Sequence, residues 1–167
     1  MRESLQANKD FLNSELYTKT FRGAIDHLVD KEPTIRHGYI TEYLPGVQSL
    51  GKGAPFTGTA IYLDVDGPKW DEAWKKWTTI IPHVKGYMGI AGGPVVEDVD
   101  GYSNNFIALV GWSTIEEHED YHHTKDFFEK RNILMDPGRS RKKFTRYGHI
   151  AFENNESIEG KEGSSKL

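Results

Sequence analysis

The chain has 167 residues, a net charge of -4 and no cysteine. That length sets one domain with room for a real core. The charge balance, with no basic stripe, excludes nucleic acid as an expected partner, and the missing cysteines exclude disulfides, thiolate catalysis and Cys-ligated zinc. No apolar run approaches the roughly 18 residues of a membrane span, and the amino end, Met1-Arg2-Glu3-Ser4, lacks the apolar stretch of a signal peptide. A protein working inside the cell, away from membranes, is expected.

In chain order, residues 12–29 read as a helix with Leu16, Phe21, Ile25 and Leu28 near one face. A strand over 34–44 follows, then a Gly/Pro-rich linker to Gly58. The Gly51-Lys52-Gly53 within it lacks the spacing of a phosphate-cradling loop. Residues 59–65 alternate Ile61, Leu63 and Val65 against Tyr62 and Asp64, the pattern of a half-buried strand. Asp66-Gly67-Pro68 turns this strand into a helix, with proline in the first turn, where its missing N–H costs little. Trp70, Trp74, Trp77 and Ile81 recur at helical spacing and predict a core stripe. Pro82 ends that helix. A glycine-broken strand spans 84–96, Gly101 turns a hairpin, and 106–112 is a strongly apolar strand. Ser113-x-x-Glu116 has the form of a capping box. A further helix starts near Thr124, carrying Phe127, Phe128, Ile133 and Leu134, and Asp136-Pro137-Gly138 closes it before a last strand over 143–152.

One pentapeptide occurs twice with its His and Tyr exchanged. Arg36-His37-Gly38-Tyr39-Ile40 returns as Arg146-Tyr147-Gly148-His149-Ile150, each after a helix and a proline turn. Such self-similarity suggests duplicated units. From residue 57 the order is β-α-β-β-α-β, the ferredoxin-like arrangement of an antiparallel sheet with helices on one face. The uncovered face calls for a second subunit, so a homodimer is expected. Three regions follow: an N-terminal helix-strand extension and linker (1–56), added at the sheet edge, the α+β domain (57–153), and a polar tail (154–167).

The stretch N-N-F-I-A-L-V-G-W-S-T-I-E-E-H-E-D-Y-H-H-T-K-D-F-F, within residues 57–153, resembles the dimeric α+β barrel superfamily. That superfamily includes antibiotic-biosynthesis monooxygenase-like, EthD-like and olivetolic acid cyclase-like proteins. In the cyclase a Tyr and a His of this helix region act on a polyketide's acidic C–H and carbonyl. By this resemblance Tyr121 takes the tyrosine's place. The family's His-Pro-x-His reads His123-Thr124-Lys125-Asp126 here, with Asp126 where the catalytic His stands.

Read from the residues, the densest titratable group is 118–123. His118-Glu119-x-x-His122 has the form of a zinc-binding helix, with Glu129 or His149 as conceivable third ligands. The other reading is an acid–base set of Tyr121, His123 and His149 with Tyr62 as a phenol donor. Trp74, Trp77, Trp112, Tyr147 and Phe127 are the expected substrate-binding aromatics. No Ser-His-Asp elbow and no dinucleotide fingerprint occurs. The leading expectation is a cofactor-independent lyase or cyclase acting on an aromatic or polyketide-like small molecule. The alternatives are a cofactor-free monooxygenase, a non-catalytic metabolite-binding or stress-response dimer, and, last, a zinc hydrolase using His118, Glu119 and His122. No metal and no cofactor are expected.

The chain closes on Ser165-Lys166-Leu167 after a Gly/Ser-rich polar run. This tripeptide is the address read by the peroxisomal import receptor, so peroxisomal localisation is expected. A reporter carrying residues 160–167 should collect in peroxisomes, and deleting Leu167 should release it. Diffuse fluorescence from the intact tail would contradict the assignment.

Overall fold

The computed structural model describes residues 4–31, 34–40, 42–43, 53–137 and 148–151, the strand residues 42–43 and 148–151 by backbone alone. The expected substrate-binding Tyr147 and the Ser165-Lys166-Leu167 tail lie outside these residues. The chain forms two compact units, Met1–His37 and Gly38–Leu167.

In the first unit, helix α1 is Leu5–Leu12, capped by Ser4, whose hydroxyl accepts the Ala7 N–H at 3.0 Å. The helix expected from residue 12 therefore begins earlier and breaks at Asn13-Ser14. There the Ser14 hydroxyl donates to the Phe11 carbonyl at 2.6 Å and accepts the Tyr17 N–H at 3.2 Å. A Ser side chain that competes for backbone groups ends one helix and starts the next. Helical turns then run through Leu16–Arg22, α2 (Gly23–Ile25) and Asp26–Leu28. None of these segments buries a side chain, and Leu16, Phe21 and Leu28 stay exposed.

The second unit is a five-stranded antiparallel sheet of β1 (Glu42–Tyr43), β2 (Phe56–Tyr62), β3 (Tyr87–Val95), β4 (Asn105–Trp112) and β5 (Gly148–Ala151). Their spatial order is β1-β3-β4-β2-β5. The last four strands have the ferredoxin-like order, with α3 (Gly67–Ile80) crossing from β2 to β3. Between β4 and β5 lie α4 (Ile115–His122), α5 (Lys125–Lys130) and α6 (Asn132–Met135). Among the described residues, the strand added by the N-terminal extension shows a bridge from Gly38 to Val95 and two residues pairing Gly92 and Ala91. The glycines of the two pentapeptide copies thus pair at opposite sides of the sheet, Gly38 with Val95 and Gly148 with Thr59. Asp100-Gly101 turns the β3–β4 connection, both at positive φ (52° and 85°), where a residue without Cβ avoids strain.

Residues alternate across the sheet as the register requires. Gly58, Ala60 and Tyr62 of β2 lie beside Val110, Ala108 and Phe106 of β4 on the helix-covered side. Trp70 and Trp74 descend from α3 onto Phe106, with centroids 5.1 and 4.8 Å apart. Beneath them Gly92 leaves no spare room. A Cβ there would stand 2.7 Å from both Trp74 Cζ2 and Phe106 Cε1, and 2.9 Å from the Ile107 carbonyl. The tryptophan stripe is core, as its spacing predicts.

The helix-free face was expected to be bare. Within the single chain, however, its Thr57 and Ala91 are 0% exposed and Leu109 is 4% exposed. Gly38 approaches Ile107 closely enough that a Cβ would sit 3.0 Å from Cγ2.

Replacing Gly92 with Ala should destabilise the fold by about 1–3 kcal/mol, the usual cost of overpacking a filled core. Urea unfolding measures it, and an unchanged midpoint would show that the tryptophan layer yields freely.

Candidate functional site

The small residues of β2 and β4 decide where the helix–sheet layer fills and where it stays open. Ala60 and Ala108 make a shallow floor, and Gly58 beside them lies under His118 and Trp112. A cavity of about 340 Å³ remains, walled by Trp77 and Ile81, by α4, and by Phe127, Leu134 and Met135. That volume lies at the small end of the range for ligand pockets, roughly 300–1,000 Å³.

Helix α4 supplies the chemistry. Its N-cap is Thr114, whose hydroxyl accepts the Glu117 N–H at 3.1 Å. The capping motif is therefore displaced by one residue from the expected Ser113-x-x-Glu116. Ser113 instead donates its hydroxyl to the Glu117 carboxylate. That hydrogen bond, with Lys85 at 3.3 Å, holds the Glu117 carboxyl below the usual carboxylate range. From this start, His118, Tyr121 and His122 fall at i, i+3 and i+4 on one face, and all three line the cavity. His118 is buried and stacks on Trp112, with centroids 4.4 Å apart and planes 15° from parallel. His122 follows at 4.6 Å from His118, and Phe127 at 4.5 Å from His122. One wall is therefore a ladder of rings, Trp112-His118-His122-Phe127. Gly58 makes the first rung possible, since a Cβ there would meet His118 Cε1 at 2.8 Å and Trp112 Nε1 at 3.3 Å. The Trp112 indole N–H is buried with no acceptor among the described residues.

The expected site residues divide. Tyr62, Tyr121, Trp77, Trp112 and Phe127 line the cavity. Trp74 is buried in the filled half of the core, away from the cavity lining. His123 caps the C-terminus of α4 and is exposed. It lies two residues beyond Tyr121, about 200° around a helix, on the far side from the cavity. His149 pairs with Gly58 through the backbone. The sequence presents His118 and His122 as a metal pair, with His122 also open as a substitute base, and gives His118 no acid–base role. The available signal was their i, i+4 spacing on the same stripe as Tyr121. Among the described residues no three His, Asp or Glu side chains are grouped to hold a metal ion, and the two imidazoles pack against rings.

Tyr121 is present as a wall more than as a donor. Its hydroxyl donates to Asp126 Oδ2 at 3.2 Å, and Asp126 does not line the cavity. Lys130 pairs with Asp126 and, with the Tyr121 hydrogen bond, holds its carboxyl below the usual range. Burial, followed by the Asp126 charge and hydrogen bond, pushes the Tyr121 phenol well up. Burial alone does the same to Tyr62, whose ring packs on Trp70 at 4.7 Å.

No known protein-family profile matches the chain, and no curated protein matches it. Solved structures do. An anthrone oxidase-like protein superposes with a TM-score of 0.55 at 11% identity, over 87% of this chain and 65% of that one. A dimeric ferredoxin-like protein of unknown function from Jannaschia sp. CCS1 gives 0.44 at 12% identity, over 58% and 99%. A variant of SnoaB, a cofactor-independent oxygenase from Streptomyces nogalater, gives 0.41 at 11%, over 60% and 93%. The chain has the ferredoxin-like α+β fold.

Tyr62 and Tyr121 should resist ionisation in the folded chain. Because their folded pKa values are raised, the stability they contribute is full below about pH 10 and is lost as pH rises through the folded values. Phenolate absorbance should therefore show a late phase coincident with alkaline unfolding. Tyr62→Phe and Tyr121→Phe should each remove one phenol from it. A single early phase for all tyrosines would refute the assignment.

Proposed function

We propose that the chain is a cofactor-independent enzyme that removes an acidic carbon-bound proton from an aromatic, polyketide-like small molecule. The observation that carries this is His118, an imidazole buried in the wall of an aromatic-lined cavity and stacked on Trp112. Imidazole takes up and releases protons between about pH 5 and 8. A flat substrate fits between Trp77 and the ring ladder. The proton passes from a C–H beside a carbonyl to the imidazole, and the carbon's electron pair becomes an enolate. His122, beside His118, is placed to share or pass on the proton.

In the leading reading the enolate reacts within the substrate, as in a lyase or cyclase, and the imidazolium returns the proton. The second reading is favoured by the likeness to the anthrone oxidase-like structure. There the carbanion reduces dioxygen, a hydroperoxide forms at the same carbon, and loss of water leaves a ketone. The sum is one CH₂ and one O₂ giving one C=O and one H₂O.

The active unit is proposed to be a homodimer. The strand–helix order and the half-exposed Ile61 and Ile107 of the helix-free face support it. Light scattering should give about twice the 19.0 kDa chain mass; a monomer at micromolar concentration would sink the idea.

A thermal-shift screen of anthrones, phenols and β-diketones supplies substrates. With a substrate in hand, His118→Gln should lower turnover by roughly 10²–10⁴-fold, while His123→Ala leaves it unchanged. Product formation without dioxygen supports the lyase or cyclase reading, and stoichiometric dioxygen uptake supports the oxygenase. Full activity in His118→Gln would overturn both.

A further inference from the structure

Arg131 belongs to neither the ring ladder nor the packed core, yet it lines the cavity. It is the one Lys, Arg, Asp or Glu among the described lining residues. Its place is fixed by the backbone, where it is both the C-cap of α5 and the N-cap of α6, its N–H donating to the Phe127 carbonyl at 2.8 Å. The guanidinium lies over the Phe128 ring, 4.9 Å from the centroid, an arrangement that holds a cation without neutralising it. The nearby carboxylates are engaged elsewhere, Asp126 with Lys130 and Glu129 with Lys125. No ion pair engages Arg131 among the described residues.

We infer that Arg131 anchors a carboxylate at the rim of the cavity, so that the ligand is an aromatic acid whose apolar body enters the pocket. This rests on the cavity being the substrate site. A guanidinium presents paired N–H donors that match a carboxylate's two oxygens. One fixed positive charge suits a monoanion. A phosphate ester carries nearly twice that charge and would call for a second Lys or Arg, which the described lining does not hold. Arg131 is thus a specificity residue, separate from the proton transfer at His118.

The test uses the full chain and calorimetric titration with 2-naphthoate and methyl 2-naphthoate. Wild type should bind the acid about 10-fold or more tighter than the ester, in line with a charge-assisted hydrogen-bonded pair. Arg131→Gln should abolish that preference by weakening the acid alone, and Arg131→Lys should restore part of it. His118→Gln should keep the preference, separating recognition from catalysis. Binding of both compounds without preference, or a preference that survives Arg131→Gln, overturns the inference while leaving the cavity reading intact. If neither compound binds, the cavity reading fails and the inference with it. Should Arg131→Gln not fold, the wild-type comparison of acid with ester, at low and high salt, decides alone.

Discussion

The site depends on a mismatch of side-chain size across one helix–sheet layer. The sheet offers glycine and alanine at Gly92, Ala108, Ala60 and Gly58, while the helices offer indoles and other large rings. Over Gly92 the rings of Trp74 and Phe106 reach the backbone and the layer closes. Over Gly58 the rings of His118 and Trp112 come equally close, and over Ala60 and Ala108 the large side chains stand aside as walls. Close packing elsewhere makes the opening persist, because a filled and rigid half cannot relax into the empty one. A cavity of this kind comes from a floor kept low next to walls kept tall.

The same layer explains why the imidazoles are held so firmly. His118 has Trp112 on one side, His122 on another and the Gly58 backbone close beneath. Each contact is weak alone, but together they leave the ring little freedom. A base that is already positioned spends less on ordering when substrate arrives. Tyr121, one turn along, shows the opposite use of a polar aromatic. Its ring serves the cavity, and its hydroxyl is committed to Asp126 outside it. Side chains on one helical stripe can therefore face the same space and carry different duties.

The sheet's two rims add an architectural point. Gly38 bridges Val95 at one edge and Gly148 pairs with Thr59 at the other, so one glycine from each near-repeated pentapeptide pairs at an opposite rim. Edge positions require backbone pairing on one side only. The helical unit before Gly38 differs in kind. Its turns bury no side chain, and Ser4 and Ser14 set its breaks through local hydrogen bonds.

Local physics fixed much of this protein in the sequence. Alternation named the strands, the spacing of Trp70, Trp74, Trp77 and Ile81 named the core helix, and the β-α-β-β-α-β order named the fold, because each signal is carried by neighbours in the chain. Tyr62, Tyr121, Trp77, Trp112 and Phe127 were legible as cavity candidates for the same reason: they are aromatics on buried stripes. The tertiary structure decided what depends on distant partners. His118 became a stacked wall residue because Gly58, sixty positions earlier in the chain, leaves room for it. His123 stayed outside the cavity because it falls about 200° around the helix from Tyr121. Trp74 went to the core because Gly92 lies beneath it, and Arg131 reached the cavity because two short helices meet there. Spacing along a chain gives the face of an element, and only packing gives what that face meets.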